Sequence, residues 1–260
     1  MKRTLLILAL FISGYISALG QESYGHHTFT AEDGTVLNYR QLKPAETAEG
    51  KRYPLVIFLH GLGERGTDNE NQLFHGSQMF LNPVTREKYP AYVIFPQCPK
   101  SAFWAYKDIP SSFETLKAED PMPAPFKALK ELIDTYLTYP YIDKSRVYIM
   151  GLSMGGMATY DMVARFPDIF AAAIPICGAV EPERLEGLEG VSFRIFHGDA
   201  DTTVPVECSR KAYKALKKSR CKVEYFEFPG CGHGSWNPAF SKDDFMDWLF
   251  KQKKSRKYLK

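Results

Sequence analysis

Gly151-Leu152-Ser153-Met154-Gly155 reads G-x-S-x-G, and the residues on either side give the serine a chemical use. Arg146-Val147-Tyr148-Ile149-Met150 is a short β-branched and aromatic run, and Gly156 to Phe166 has helical character. A tight strand-to-helix turn lifts the serine hydroxyl clear of a sheet, and the glycines spare the turn side-chain collisions. The helix start beside it offers free backbone N–H groups and partial positive charge. A serine hydroxyl becomes a nucleophile only when a base takes its proton, and the base needs a third group to fix its tautomer. Both occur downstream. His197-Gly198-Asp199-Ala200-Asp201-Thr202-Thr203-Val204-Pro205 offers two carboxylates, and Gly230-Cys231-Gly232-His233-Gly234 offers an imidazole, with no histidine after it.

These groups must be carried by elements that end near one another. Leu55 to Leu59 is a continuous apolar run, as a strand buried on both faces requires. Tyr92 to Phe95, Tyr148 to Met150, Ala172 to Ile176 and Phe193 to Phe196 continue the strand series, and Val223 to Phe228 alternates as its last member. Helical patterns fall between them at Phe126 to Tyr139, from Pro205 to about Lys218, and at Asp243 to Lys251. Such alternation predicts an α/β fold, a mostly parallel central sheet with helices on both faces. His27 to Ala31 and Val36 to Leu42 flank Asp33-Gly34 and predict an N-terminal antiparallel hairpin. Ser153, the two aspartates and His233 all follow predicted strands directly, at the carboxyl edge where open α/β sheets place their sites. Two stretches, Gly63 to Tyr89 and Cys98 to Pro125, are placed to roof that edge.

Over roughly residues 27 to 250 the chain resembles the α/β-hydrolases. Within them it is similar to small secreted serine esterases of the dienelactone-hydrolase, polyhydroxybutyrate-depolymerase and feruloyl-esterase kinds. His60-Gly61-Leu62-Gly63, the Gly151–Gly155 motif, Asp201-x-x-Val204-Pro205 and the glycine-flanked His233 carry the resemblance. It implies Ser153 as nucleophile, His233 as general base and Asp201, rather than Asp199, as the orienting acid. An oxyanion needs two aligned N–H donors. Met154, following the nucleophile, supplies one, and the resemblance makes the Leu62 amide the other. His60 and His197 are then structural. Trp104 and Trp236 are candidate substrate-stacking residues with Phe103 and Tyr106, and Glu64 and Arg65 adjoin the oxyanion loop as candidate polar contacts.

The 260 residues, 45% hydrophobic, are enough for one domain with a large core. The net charge of +3 gives no reason to expect nucleic acid as a partner, and it sets no oligomeric state. Residues 1–20 combine Lys2 and Arg3 with an apolar stretch and end in Ala18-Leu19-Gly20, the pattern of a secretory signal peptide too short to remain as a spanning helix. Residues 21–260 then form a single exported domain, secreted or periplasmic, closing on a basic tail that reads as solvated. Five cysteines permit disulfides outside the cytoplasm with at least one thiol left over, and Cys98 and Cys177 read as buried. Without C-x-x-C or a histidine cluster, no metal or cofactor is expected.

Together these features predict a carboxylic ester hydrolase acting through an acyl-enzyme on a small acyl or hydroxycinnamoyl ester, and the resemblance alone implies that such an ester is carried on carbohydrate. A peptidase of the prolyl-oligopeptidase type and an acyltransferase share that chemistry. A carbohydrate-binding relative that has lost activity stands in a different class.

Overall fold

The computed structural model describes residues 23–105 and 121–255. The expected signal peptide, Tyr106 and the last five residues lie outside them. In chain order the elements are β1 (Gly25–Thr30), β2 (Val36–Leu42), β3 (Tyr53–Leu59), α1 (Ser77–Leu81), α2 (Pro83–Lys88), β4 (Tyr92–Pro96), α3 (Ala124–Thr138), β5 (Ile142–Leu152), α4 (Met154–Arg165), β6 (Ala172–Ile176), β7 (Ser192–Gly198), α5 (Glu207–Lys218), β8 (Lys222–Phe228), α6 (Trp236–Phe240) and α7 (Phe245–Lys251). The strands form one eight-stranded sheet in the order β1-β2-β4-β3-β5-β6-β7-β8. β2 pairs antiparallel with β1 and β4, and every other pairing is parallel. This is an α/β-hydrolase sheet with the expected N-terminal hairpin, whose turn uses Gly34 at φ +83°.

Side chains alternate across the central strands and divide the core in two. Leu55, Ile57 and Leu59 of β3 join Val147 and Ile149 of β5 under α3, α4 and α5. Val56 and Phe58 join Tyr148 and Met150 on the other face, under α1, α6 and α7. All seven β3 residues are buried, which is why that strand reads as an unbroken apolar run. β5 extends well beyond the apolar triplet that announced it, because Ile142 to Arg146 pair or pack while keeping polar outer faces.

Two registers matter for function. Leu59 lies opposite Gly151, so the loop leaving β3 runs beside the serine turn. Gly198 lies opposite Phe228, so the loops leaving β7 and β8 emerge side by side. The structure changes one expectation for the tail: Lys254 is buried rather than solvated, its ammonium donating to the carbonyls of Pro167 and Phe170, the latter at 2.9 Å. Burial lowers its pKa to about 8. No disulfide joins any of the five cysteines. No described helix is long and apolar enough to cross a membrane.

Candidate active site

The serine turn is built by backbone meeting backbone. A Cβ on Gly155 would fall far inside contact distance of Leu59 O, and one on Gly156 would lie 2.6 Å from Ile176 O. Only glycine lets the start of α4 press between β3 and β6 this closely. Ser153 takes φ +52°, ψ −117°, a conformation costly for a residue with a side chain and held here by its surroundings. Its own N–H donates to Ile176 O at 2.9 Å, and its carbonyl accepts from Met157 at 3.0 Å, starting the helix. The hydroxyl is left projecting at the carboxyl edge.

There it meets the other two expected residues. Ser153 Oγ lies 2.9 Å from His233 Nε2, and His233 Nδ1 lies 2.8 Å from Asp201 Oδ2. A carboxylate only accepts, so Nδ1 carries the proton and donates it, leaving Nε2 to accept from the serine hydroxyl. Asp201 is locked from all sides. Its Oδ1 accepts from the amides of Thr203 (2.8 Å) and Val204 (3.0 Å), and its Oδ2 also lies 3.2 Å from His197 Nε2. Burial opposes its ionisation. The hydrogen bonds from His197, His233 and the two amides win and hold the carboxyl well below the usual carboxylate range.

The neighbouring Asp199 is engaged elsewhere: its Oδ1 accepts from Gly230 N–H at 2.6 Å, clipping the loop after β8. A second clip runs from Ala200 N–H to Cys231 O at 3.0 Å. The aspartate nearer the strand thus shapes the loop that presents His233, and Asp201 meets the imidazole. His197 sits beneath, fully buried, with Nε2–H directed at Val204 O (2.9 Å) and Nδ1 accepting from Ser209 (2.7 Å).

His60 performs a comparable task for the loop expected to supply the second oxyanion donor. Its Nε2 accepts from Cys98 N–H at 3.0 Å, so Nδ1 carries the proton and donates to Gly61 O at 2.7 Å. A trans peptide points its N–H opposite to its C=O, so anchoring the Gly61 carbonyl fixes the direction of the Leu62 amide. Burial pushes the His60 pKa down to about 4, keeping the ring neutral as this arrangement needs. Leu62 itself is exposed, and Met154 opens α4 immediately after the serine, where first-turn amides have no partner within the helix.

The remaining candidates separate into two groups. Trp104 is corrected to a core residue: it is fully buried and packs against His60 at 5.3 Å, behind the oxyanion loop rather than before it. Arg65 is a brace, donating to the carbonyls of Leu62, Lys100 and Ala102 and stacking over Phe103. Trp236 adjoins His233, and His75 connects Glu64 to it. The Trp236 ring stands edge-on to His233 at 5.6 Å and 5.0 Å from His75, and Glu64 Oε1 lies 3.8 Å from His75 Nε2. Glu64 Oε2 and Trp236 Nε1 are buried without a hydrogen-bond partner among the described residues, one an acceptor and one a donor. His75 links them, and Phe74 beside it is 77% exposed, extending the wall outward. Phe74 and His75 were not singled out from the sequence. The one available signal was an aromatic pair in an otherwise polar stretch, ahead of Gly76, whose φ of +77° seats the turn on Phe58.

Comparison with known proteins finds relatives of the whole fold. The phospholipase/carboxylesterase family model matches residues 43–244. A protein named probable carboxylesterase SOBER1-like, from Arabidopsis thaliana, is 28% identical over 195 residues, 70% of this chain and 73% of its own length. Feruloyl esterase B of Neurospora crassa is 29% identical over 125 residues, 48% of this chain and 38% of that protein. Among solved structures, a thermostable esterase superposes with a TM-score of 0.80 at 35% identity, covering 89% of this chain; the chain spans 63% of that esterase.

Proposed function

The chain belongs to the phospholipase/carboxylesterase family of α/β-hydrolases, a family of carboxylic ester hydrolases, and from that premise we propose that it cleaves esters by a serine mechanism in which Ser153, His233 and Asp201 act as nucleophile, base and orienting acid. The observation that carries the proposal is the unbroken hydrogen-bonded line from Ser153 Oγ through the His233 ring to Asp201. Ser153 Oγ attacks the ester carbonyl carbon as its proton passes to His233 Nε2. The carbonyl oxygen becomes negative and accepts from the Leu62 and Met154 amides. Collapse expels the alcohol, which takes the proton from His233, and leaves an acyl-serine. Water, deprotonated by the same nitrogen, then attacks the acyl carbon, and release of the acid restores the hydroxyl. Asp201 stays ionised throughout and steadies the imidazolium.

The substrate class proposed is an acyl or hydroxycinnamoyl ester carrying hydroxyl groups, as on a sugar. Supporting it are the aromatic Phe74–His75–Trp236 wall and the Glu64 and Trp236 polar atoms that lack a partner among the described residues, which suit a planar ring and adjacent hydroxyls. The Neurospora crassa feruloyl esterase is consistent with the same class. Residues 1–20 have the charge and length of an export signal, and we place the mature protein outside the cytoplasm, beginning near Gln21.

Hydrolysis of acetyl, butyryl and feruloyl esters of a simple alcohol and of a sugar, with Ser153→Ala as control, tests the proposal. Serine-dependent cleavage with a preference for hydroxylated partners is the expected result. A folded protein that cleaves none of them, or cleaves them equally well as Ser153→Ala, contradicts it. N-terminal sequencing of protein recovered from outside the cytoplasm tests the export assignment separately.

A further inference from the structure

Beneath the triad lies a thiol that ester chemistry leaves unused. Cys177 follows β6 at φ +40°, is fully buried, and donates its amide to Phe196 O at 2.8 Å. Its Sγ, a carboxylate oxygen of Asp201 and a ring nitrogen of His233 all lie within 4.8 Å of one another. The Ser235 hydroxyl, also fully buried, is directed toward the same thiol. A buried cysteine is ordinarily a small hydrophobe surrounded by apolar atoms. This one adjoins an imidazole, an ionised carboxylate and a buried hydroxyl. Thiolate, imidazole and carboxylate together are the donor set that zinc and other borderline-soft divalent cations take, whereas magnesium prefers oxygen alone.

We propose that Cys177, Asp201 and His233 form a site for a soft divalent cation of the zinc type, with the Ser235 hydroxyl beside it, and that occupancy switches the serine chemistry off. Ligation is a substitution without change of oxidation state: the thiol proton leaves to solvent and sulfur binds the metal. At His233 the outcome is the same whichever nitrogen coordinates. If Nε2 binds the cation, the lone pair that accepts the serine proton is consumed. If Nδ1 binds it, the neutral ring must carry its proton on Nε2, which then cannot accept. Asp201 meanwhile turns from orienting the imidazole to balancing the cation. Without metal the thiol is inert, because burial pushes its pKa up to about 12.

Metal binding does not depend on the esterase proposal, but the switching rests on His233 as its base, so the experiment reads the two apart. Cobalt(II) is added to the full-length folded protein, and the near-ultraviolet thiolate-to-cobalt charge-transfer band is recorded. The expected result is a band that zinc abolishes by competition, that Cys208→Ser and Cys231→Ser retain, and that Cys177→Ser lacks. No band in the unaltered protein, or a band that survives Cys177→Ser, overturns the site, and the unaltered protein suffices for the first of these if the variant does not fold. In parallel, zinc inhibits ester cleavage where equal magnesium does not. Relative to each protein's own metal-free rate, Cys177→Ser raises the half-inhibiting zinc concentration about tenfold or more. A cobalt band together with cleavage untouched by saturating zinc overturns the switch. Absence of Ser153-dependent cleavage in metal-free protein counts against the esterase proposal alone.

Discussion

The serine turn and the wall facing it are built in opposite ways. Around Ser153 the close contacts are between main chains: Gly151, Gly155 and Gly156 touch carbonyls of α4, β3 and β6 where any Cβ would collide. Across from it, Glu64, His75 and Trp236 meet through side chains at 3.8 to 5.0 Å and leave two polar atoms without a partner among the described residues. The first construction fixes atoms within tenths of an ångström and tolerates no substitution. The second keeps hydrogen-bonding capacity in reserve and admits substitution. Reaction type should therefore be set by the turn and leaving-group preference by the wall.

Changes on the turn side are expected to be severe. Ser153→Ala lowers kcat/KM by about 10⁴-fold or more on every ester tested, with an unchanged circular dichroism spectrum. The two aspartates divide next. Asp201→Asn reverses the favoured imidazole tautomer and lowers kcat by about 10³- to 10⁴-fold, whereas Asp199→Asn weakens only the clip to Gly230 and costs less than about tenfold. Equal losses would remove the distinction drawn between them. Gly155→Ala must push α4 away from Leu59 and lowers stability by about 3 kcal/mol or more, read as the urea midpoint at constant slope.

The proposed oxyanion loop at Gly61 and Leu62 lies between the two extremes, and pH separates its contribution. The His60 pKa is about 4 when folded and near 6.5 when unfolded. Between these values the unfolded chain binds more protons, so stability rises with pH; the contribution is complete above about pH 6.5 and drains as pH falls toward 4. From pH 7 to pH 5 the loss from this group is about 2 kcal/mol. His60→Gln removes that slope, seen as urea unfolding whose acid-side loss is smaller by that amount. On the wall the effects are smallest and selective. Glu64→Gln and Trp236→Phe each cost about 1 kcal/mol in kcat/KM for sugar esters and leave simple alkyl esters nearly unchanged. Equal losses on both would assign these residues to support of the turn instead of to selectivity.

The same contrast explains what the sequence disclosed. The turn was legible because backbone crowding forces glycine at fixed spacing and a strand must precede it. The order of serine, acid and histidine was legible because each follows a strand end. The choice between Asp199 and Asp201 was not settled by spacing alone, since both stand on one loop; hydrogen bonds to Gly230 and His233 separate them. The wall was largely illegible. Phe74 and His75 come from a loop without periodicity and acquire meaning only because Gly76 seats that loop on Phe58 near α6. Trp104 illustrates the opposite error, a large aromatic in a loop that proves to be core. Lys254 was misread for a related reason: charge in a tail suggests solvent, but two carbonyls at the sheet's far edge capture its ammonium.

The central claim is that one serine, activated by its two hydrogen-bonded partners, does the chemistry. The direct measurement is stoichiometric labelling with a serine-directed phosphonate, followed by peptide mass spectrometry. One adduct per chain, located on Ser153, with ester cleavage lost in step and labelling slowed in Asp201→Asn and His233→Gln, is the predicted result. Full ester cleavage by protein that remains unlabelled, or an adduct on any residue other than Ser153, would contradict the account.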